Sequence, residues 1–176
     1  MRTGEEDSFR RFATGHAAML RRSAFLFCGD WHLAEDLMQQ ALIKIYRSWS
    51  RVQQQDSLTR YARTVLLRTW LDEKRRPFRR SEQTGAELPE VPDGSADPAM
   101  AADRVWARDV VHRALLQVAP GQRAVLVLRY FDDLSIAETA AIMRCSEGTV
   151  KSQAARGLAS LRAVVDRMGA AGRVAS

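Results

Sequence analysis

Cysteine is scarce in this chain: Cys28 and Cys145 are the only two among 176 residues. They lie far apart and outside any Cys-x-x-Cys spacing, which gives neither a disulfide framework nor a zinc signature, and both read as small buried apolar residues. The histidines, His16, His32 and His112, are scattered. On a helical reading His32 and Asp36 sit one turn apart, but no third ligand is near, so no metal and no cofactor is expected. Long apolar runs are missing as well. A stretch such as Ala124 to Leu128 is far too short to span a bilayer, and the N-terminus has no apolar signal region, so the expectation is a cytoplasmic protein with no membrane association. There is no internal repeat and no useful strand alternation. Clustered carboxylates for metal, or a nucleophile beside a base, are also lacking, which argues against an enzyme.

Positive charge, in contrast, is in surplus. Lys and Arg number 27 against 21 Asp and Glu, a formal net charge of +6, and a basic chain of ordinary apolar content points first to a polyanionic partner, nucleic acid above all.

Helical periodicity accounts for nearly everything outside one interval. Phe9, Phe12, His16 and Leu20 share a stripe on a helix from about Ser8 to Phe27. Gly29-Asp30 breaks it, with Asp30 as cap, and Leu33, Leu37, Leu42, Ile45 and Trp49 carry the next helix to about Trp49. Ser57 caps a third, with Leu58, Tyr61, Val65, Leu66 and Leu71 apolar, which runs to about Arg76 before Pro77. From Pro77 to Asp97 the apolar period vanishes among prolines, glycines and acids, the composition of a flexible linker. Asp97-Pro98 then opens a helix carrying Val111, Ala114, Leu115 and Val118, and Pro120 opens another to about Phe131, with Val125, Leu128 and Phe131 inward. Ser135-Ile136-Ala137-Glu138 has the reciprocal spacing of a capping box and starts a short helix ending near Met143. After a tight turn Ser146 caps a last helix, with Val150, Ala154, Leu158, Leu161 and Val165 inward to about Met168. The expected fold is therefore all-α, two small helical domains at 1–76 and 98–168, joined by the linker 77–97 and followed by a tail at 169–176.

Two of these segments carry chemistry. A short capped helix, a tight turn and a longer helix with early basic residues form a helix-turn-helix pattern. On its second helix Thr149, Lys151, Ser152, Gln153, Ala155 and Arg156 are the candidates for DNA contact, since side chains near a recognition helix's N-terminus reach base edges in the major groove. The third helix and its extension gather Arg60, Arg63, Arg68, Lys74, Arg75 and Arg76, with Tyr61 and Trp70 among them. Cations mixed with aromatics suit a surface that follows phosphates and stacks on unpaired bases, although both aromatics could equally be core residues. Between Arg80 and Arg104 there is no basic residue, so the linker should avoid phosphates.

These residues resemble the extracytoplasmic-function sigma factors of bacterial RNA polymerase, over most of the chain from about Phe9 to Val165. Ala34-Glu35-Asp36-Leu37-Met38-Gln39-Gln40 is similar to the family's region 2 motif, Asp-Leu-x-Gln followed usually by Glu. The stretch from Leu134-Ser135 to Ser146-Glu147-Gly148-Thr149-Val150-Lys151-Ser152 is similar to its region 4 helix-turn-helix. The resemblance implies a promoter-recognition subunit without catalysis of its own, whose partners are core polymerase, through the largest subunit's clamp helices and the flap region, and promoter DNA. An anti-sigma factor is admitted as a further partner. Asp36, Leu37, Gln39 and Gln40 would face the clamp helices. The helix from Ser57 to Arg76 would engage the minus-ten element, and Lys151, Ser152 and Ala155 the minus-thirty-five element. Three positions depart from the pattern: Gln40 replaces the usual Glu, Arg68 stands where Asn is frequent, and Arg144 where the turn often has Gly. The rival reading is a regulator that uses the same helix-turn-helix alone, as a symmetric dimer.

Overall fold

A computed structural model describes residues 3–55, 57–75 and 98–174, and all the regular structure in them is helical. The linker 77–97, Arg76 and the Asp97 cap lie outside the described residues. The helices are α1 (Thr3–Cys28), α2 (Trp31–Arg47), α3 (Trp49–Val52), α4 (Leu58–Arg75), α5 (Pro98–Gln117), α6 (Pro120–Leu126), α7 (Ile136–Met143) and α8 (Glu147–Val174), with a π-helical turn over Val127–Phe131 after α6.

Local chemistry sets the breaks. Gly29 takes φ +76°, a left-handed conformation that glycine adopts without a Cβ clash. Its amide closes α1 on the Phe25 carbonyl at 2.7 Å. Asp30 then starts α2, its side chain accepting from the Leu33 amide at 2.8 Å. The second helix stops at Arg47, before the expected Trp49, because the Ser48 hydroxyl and amide both turn back onto carbonyls of the last turn. Trp49 begins a separate single turn. After α6 the Asp132 amide bonds the Val127 carbonyl at 2.9 Å, a five-residue step that widens the turn. Phe131 is thereby carried outward: expected inside, it is 40% exposed.

The inner stripe of α8 also differs from the expected one. Leu158 is 38% exposed, whereas Val150, Gly157 and Val164 are buried. The reason is Gly157, where a Cβ would lie 3.1 Å from Cγ of Leu126. Its bare backbone lets α8 settle on α6 through that position and turns the neighbouring Leu158 to solvent.

Two helical groups, α1–α4 and α5–α8, follow from this order, and they share one apolar core. Leu20, Phe27, Leu37, Ile45, Trp49, Leu66 and Trp70 from the first group are continuous with Leu115, Leu126 and Leu128 from the second. Along the seam Phe25 is sandwiched between Trp31, 3.9 Å between centroids, and His112, 4.5 Å. A Cβ on Gly29 would lie 2.5 Å from Cδ1 of Leu116, so the loop between α1 and α2 seats α5 closely.

One cation organises that seam. Arg123 of α6 is 5% exposed. Its guanidinium donates to the Phe27 carbonyl at 2.6 Å, in the last turn of α1, and to the Leu116 and Val118 carbonyls at 2.5 and 3.0 Å, at the end of α5. Carbonyls at helix C-termini lack intrahelical donors and carry partial negative charge, so a buried guanidinium among them is satisfied by backbone alone. Burial lowers the Arg123 pKa to about 10. Removing the side chain strands three carbonyls, and Arg123→Ala is expected to reduce unfolding free energy by about 3 kcal/mol in urea titration, with α8-surface changes such as Arg162→Ala staying within about 0.5 kcal/mol.

Candidate nucleic-acid interface

The helix-turn-helix forms as its capping chemistry dictates. The Glu138 amide donates to Ser135 Oγ at 3.1 Å and the Ser135 amide to Glu138 Oε2 at 2.8 Å, a closed capping box at the start of α7. The backbone hydrogen bond from Ser135 holds the Glu138 carboxyl below the ordinary glutamate range. At the other end Arg144 adopts φ 54°, ψ 49°, left-handed, and its amide returns to the Ala140 carbonyl. The Cys145 amide reaches the same carbonyl at 3.1 Å. Ser146 then caps α8: its Oγ accepts from the Thr149 amide at 3.1 Å and sits 2.9 Å from the Thr149 hydroxyl. Val150 turns inward onto Val125 and Ala140, which fixes the rotation of α8. Thr149, Lys151, Ser152, Ala155 and Arg156 are in consequence exposed along its outer face, with Gln153 half-buried beside them.

On α4 the expected cluster divides. Arg60, Lys74 and Arg75 are exposed, and Arg68 is half-buried. Tyr61 is half-buried, its hydroxyl 3.3 Å from Ser48 Oγ. Trp70 is a correction to the sequence reading: it is 1% exposed and stacks on Phe27 with centroids 4.9 Å apart, so it presents no face to a base. Of the two readings open for it, stacking platform and core residue, helical rotation selects the second and puts it with buried Leu66 and Leu67. Arg63 pairs with Asp132 of the second group at 3.5 Å, its side chain 15% exposed.

A third face lies on α2. Asp36, Gln39 and Gln40 are exposed together, but Leu37 is not with them. Leu37 is fully buried on the stripe Ala34, Leu37, Ala41, Ile45 and contributes packing rather than contact. Sequence reasoning missed Ile43, which is 51% exposed one turn beyond Gln39. Its signal was present: it follows Leu42 and lies off the buried stripe, an apolar residue on a polar edge.

The chain matches the family model described as Sigma-70 region 2 over residues 12–80 and that described as Sigma-70, region 4 over residues 108–161. It is 35% identical over 164 residues to the RNA polymerase sigma-E factor of Streptomyces avermitilis, covering 92% of this chain and 87% of that protein. It is 32% identical over 163 residues to the ECF RNA polymerase sigma factor SigL of Mycobacterium tuberculosis, 88% of this chain and 86% of that one. Among solved structures, the sigma factor RpoE of Bartonella quintana, in complex with the anti-sigma factor NepR, superposes with a TM-score of 0.71 at 22% identity, over 90% of this chain and 96% of that. CnrH, in complex with the cytosolic domain of CnrY, gives 0.65 at 21%, over 90% and 88%. These two likenesses concern the fold.

The turn itself yields a stability test. A side chain held left-handed costs ~1–2 kcal/mol that glycine does not incur, against a smaller entropic loss on folding. Arg144→Gly is therefore expected to raise stability by ~1 kcal/mol in thermal melts, whereas Arg144→Val should lower it.

Proposed function

The chain belongs to the sigma-70 family, as an extracytoplasmic-function sigma factor that directs RNA polymerase to promoters to initiate transcription, and we propose that three surfaces divide that work. Thr149, Lys151, Ser152, Gln153, Ala155 and Arg156 on α8 engage the minus-thirty-five element. Arg60, Arg63, Arg68, Lys74, Arg75 and Arg76, with Tyr61 at their edge, follow the phosphates around the minus-ten element. Asp36, Gln39 and Gln40, joined by Ile43, meet the clamp helices of the polymerase's largest subunit, while the region 4 domain meets the flap. In this reading the domains run over 1–76 and 98–168, with 77–97 between them. The chain supplies recognition and the polymerase supplies phosphoryl transfer, inside the cell where polymerase works. An anti-sigma factor is a further proposed partner, since a solved relative is held by one.

The observation that carries the reading is the first turn of α8. Its rotation is pinned by buried Val150 and its start by Ser146, so the side chains that follow are exposed from a rigid element. Lys151 lies early on that helix, where a side chain can donate to guanine O6 or N7. Arg156 lies farther along, placed for a phosphate.

Transcription by reconstituted holoenzyme from a promoter library varied in the minus-thirty-five element, at several salt concentrations, tests this. Lys151→Ala is expected to cost ~1–3 kcal/mol at one base position and relax preference there; Arg156→Ala should weaken all sequences alike and reduce the salt slope by about one. A uniform loss for Lys151→Ala with intact base preference contradicts the assignment. Failure of the wild-type chain to stimulate any promoter with core polymerase would remove the function itself.

A further inference from the structure

At the junction of α1 and α2 three aromatic rings form a nearly parallel column. Phe25 stands between His112, 4.5 Å between centroids and 16° between planes, and Trp31, 3.9 Å and 9°. The layer beyond Trp31 is taken by a guanidinium, Cζ of Arg21 lying over the ring at 4.6 Å from its centroid. This end of the column opens on a crevice of about 380 Å³ lined by Ala18, Met19, Arg21 and Arg22 of α1 and by Trp31, within the range of small-molecule sites, about 300–1,000 Å³. Arg21 and Arg22 are exposed, and among the described residues neither forms a salt bridge. Arg22 also lends positive field to buried Asp132. The crevice thus joins a planar stacking position to two cations, and none of its residues belongs to the three surfaces assigned above.

We propose that this crevice binds a purine nucleoside phosphate, its base stacked on Trp31 as the next layer of the column and its phosphate held by Arg21 and Arg22. The spacing selects a planar ring, since the group now resting on the indole is itself flat and lies at a stacking distance. An exposed cation–π contact is weaker than the stacking of a base on an aromatic ring, so the base displaces the guanidinium. Arg21, an exposed side chain, is then released toward the phosphate. Arginine and phosphate pair through bidentate, charge-assisted hydrogen bonds, which distinguishes this anion from one held by charge alone. Apolar walls from Ala18 and Met19 suit the edge of a base rather than a second anion. With one aromatic face and so small a volume, the site takes a single base, a free mononucleotide rather than a strand.

Isothermal titration calorimetry on the full-length free chain tests this, with adenosine monophosphate as probe and adenosine and ribose phosphate as its two parts. The nucleotide is expected to bind one per chain and about tenfold more tightly than ribose phosphate, the effect of one stacked base. Trp31→Leu, which keeps an apolar side chain against the core but no ring face, should abolish that advantage. Arg22→Gln should weaken the nucleotide about tenfold and leave adenosine unchanged. Arg21→Ala carries the signature of the exchange: adenosine binds more tightly, because its competitor for the ring is gone, while the nucleotide binds more weakly. Circular dichroism checks folding, and should Trp31→Leu not fold, the two exposed arginine variants decide the outcome. Equal affinity for the nucleotide and ribose phosphate, or nucleotide binding unmoved by folded Trp31→Leu or by Arg22→Gln, overturns the proposal and leaves the general attraction of anions to a basic chain. A single-stranded oligodeoxyadenylate that binds far more tightly than the mononucleotide, and loses that gain with Trp31→Leu, overturns it in favour of a nucleic-acid strand.

Discussion

A guanidinium with carbonyl partners, Arg123, is the constraint on which the rest of the architecture depends. It ties the last turn of α1 to the end of α5 at a point where both helices run out of internal donors. Its Cζ lies over the Trp70 ring, 5.8 Å from the centroid, so the same cation also faces α4. A buried charge without such partners would be costly. Here the helix ends supply what a counter-ion would, which fixes where α6 sits. From α6 follow the π turn, the placement of Asp132 against Arg63, and the seat of α8 over Gly157.

Much of this was legible in the residues because it is local. The capping box at Ser135 and Glu138, the Ser146 cap, the Gly29-Asp30 break and the exposure of Lys151 and Arg156 depend on neighbours within one or two turns, and they stand where the spacing put them. Family membership was legible for a related reason, since its two motifs are short and contiguous. What escaped was tertiary. Trp70 among arginines looks like a stacking platform until Phe27, sequence-distant, covers it. For Leu37 two readings conflict: its period puts it on the buried stripe with Ala34 and Ile45, where it lies, and the resemblance alone makes it a contact. Leu158 and Phe131 fail through a missing Cβ and an extra residue in one turn, effects that periodicity does not register. Arg63 reads as a free cation, and nothing near it in sequence announces Asp132 as its partner.

The seam gives the molecule two demands to reconcile. Apolar packing across Phe25, Leu116 and Leu126 favours closure, while Arg123, His112 and Asp132 all lose water in it. Desolvation lowers the His112 pKa, so the neutral ring's contribution is full above its ordinary 6.5 and is lost as pH falls below that. For Asp132 desolvation acts in the opposite sense, and the closed form gains as its carboxyl takes up a proton. The apolar cluster nevertheless runs unbroken across the seam, and its burial offsets what these three groups lose in hydration.

Small-angle X-ray scattering of the isolated full-length chain tests the central claim, that the two helical groups close on one another around Arg123, most directly. A closed chain of this length is expected to show a radius of gyration of about 16 Å with a single compact distance distribution. A value above about 22 Å, with the two-peaked distribution of separated lobes, would contradict it.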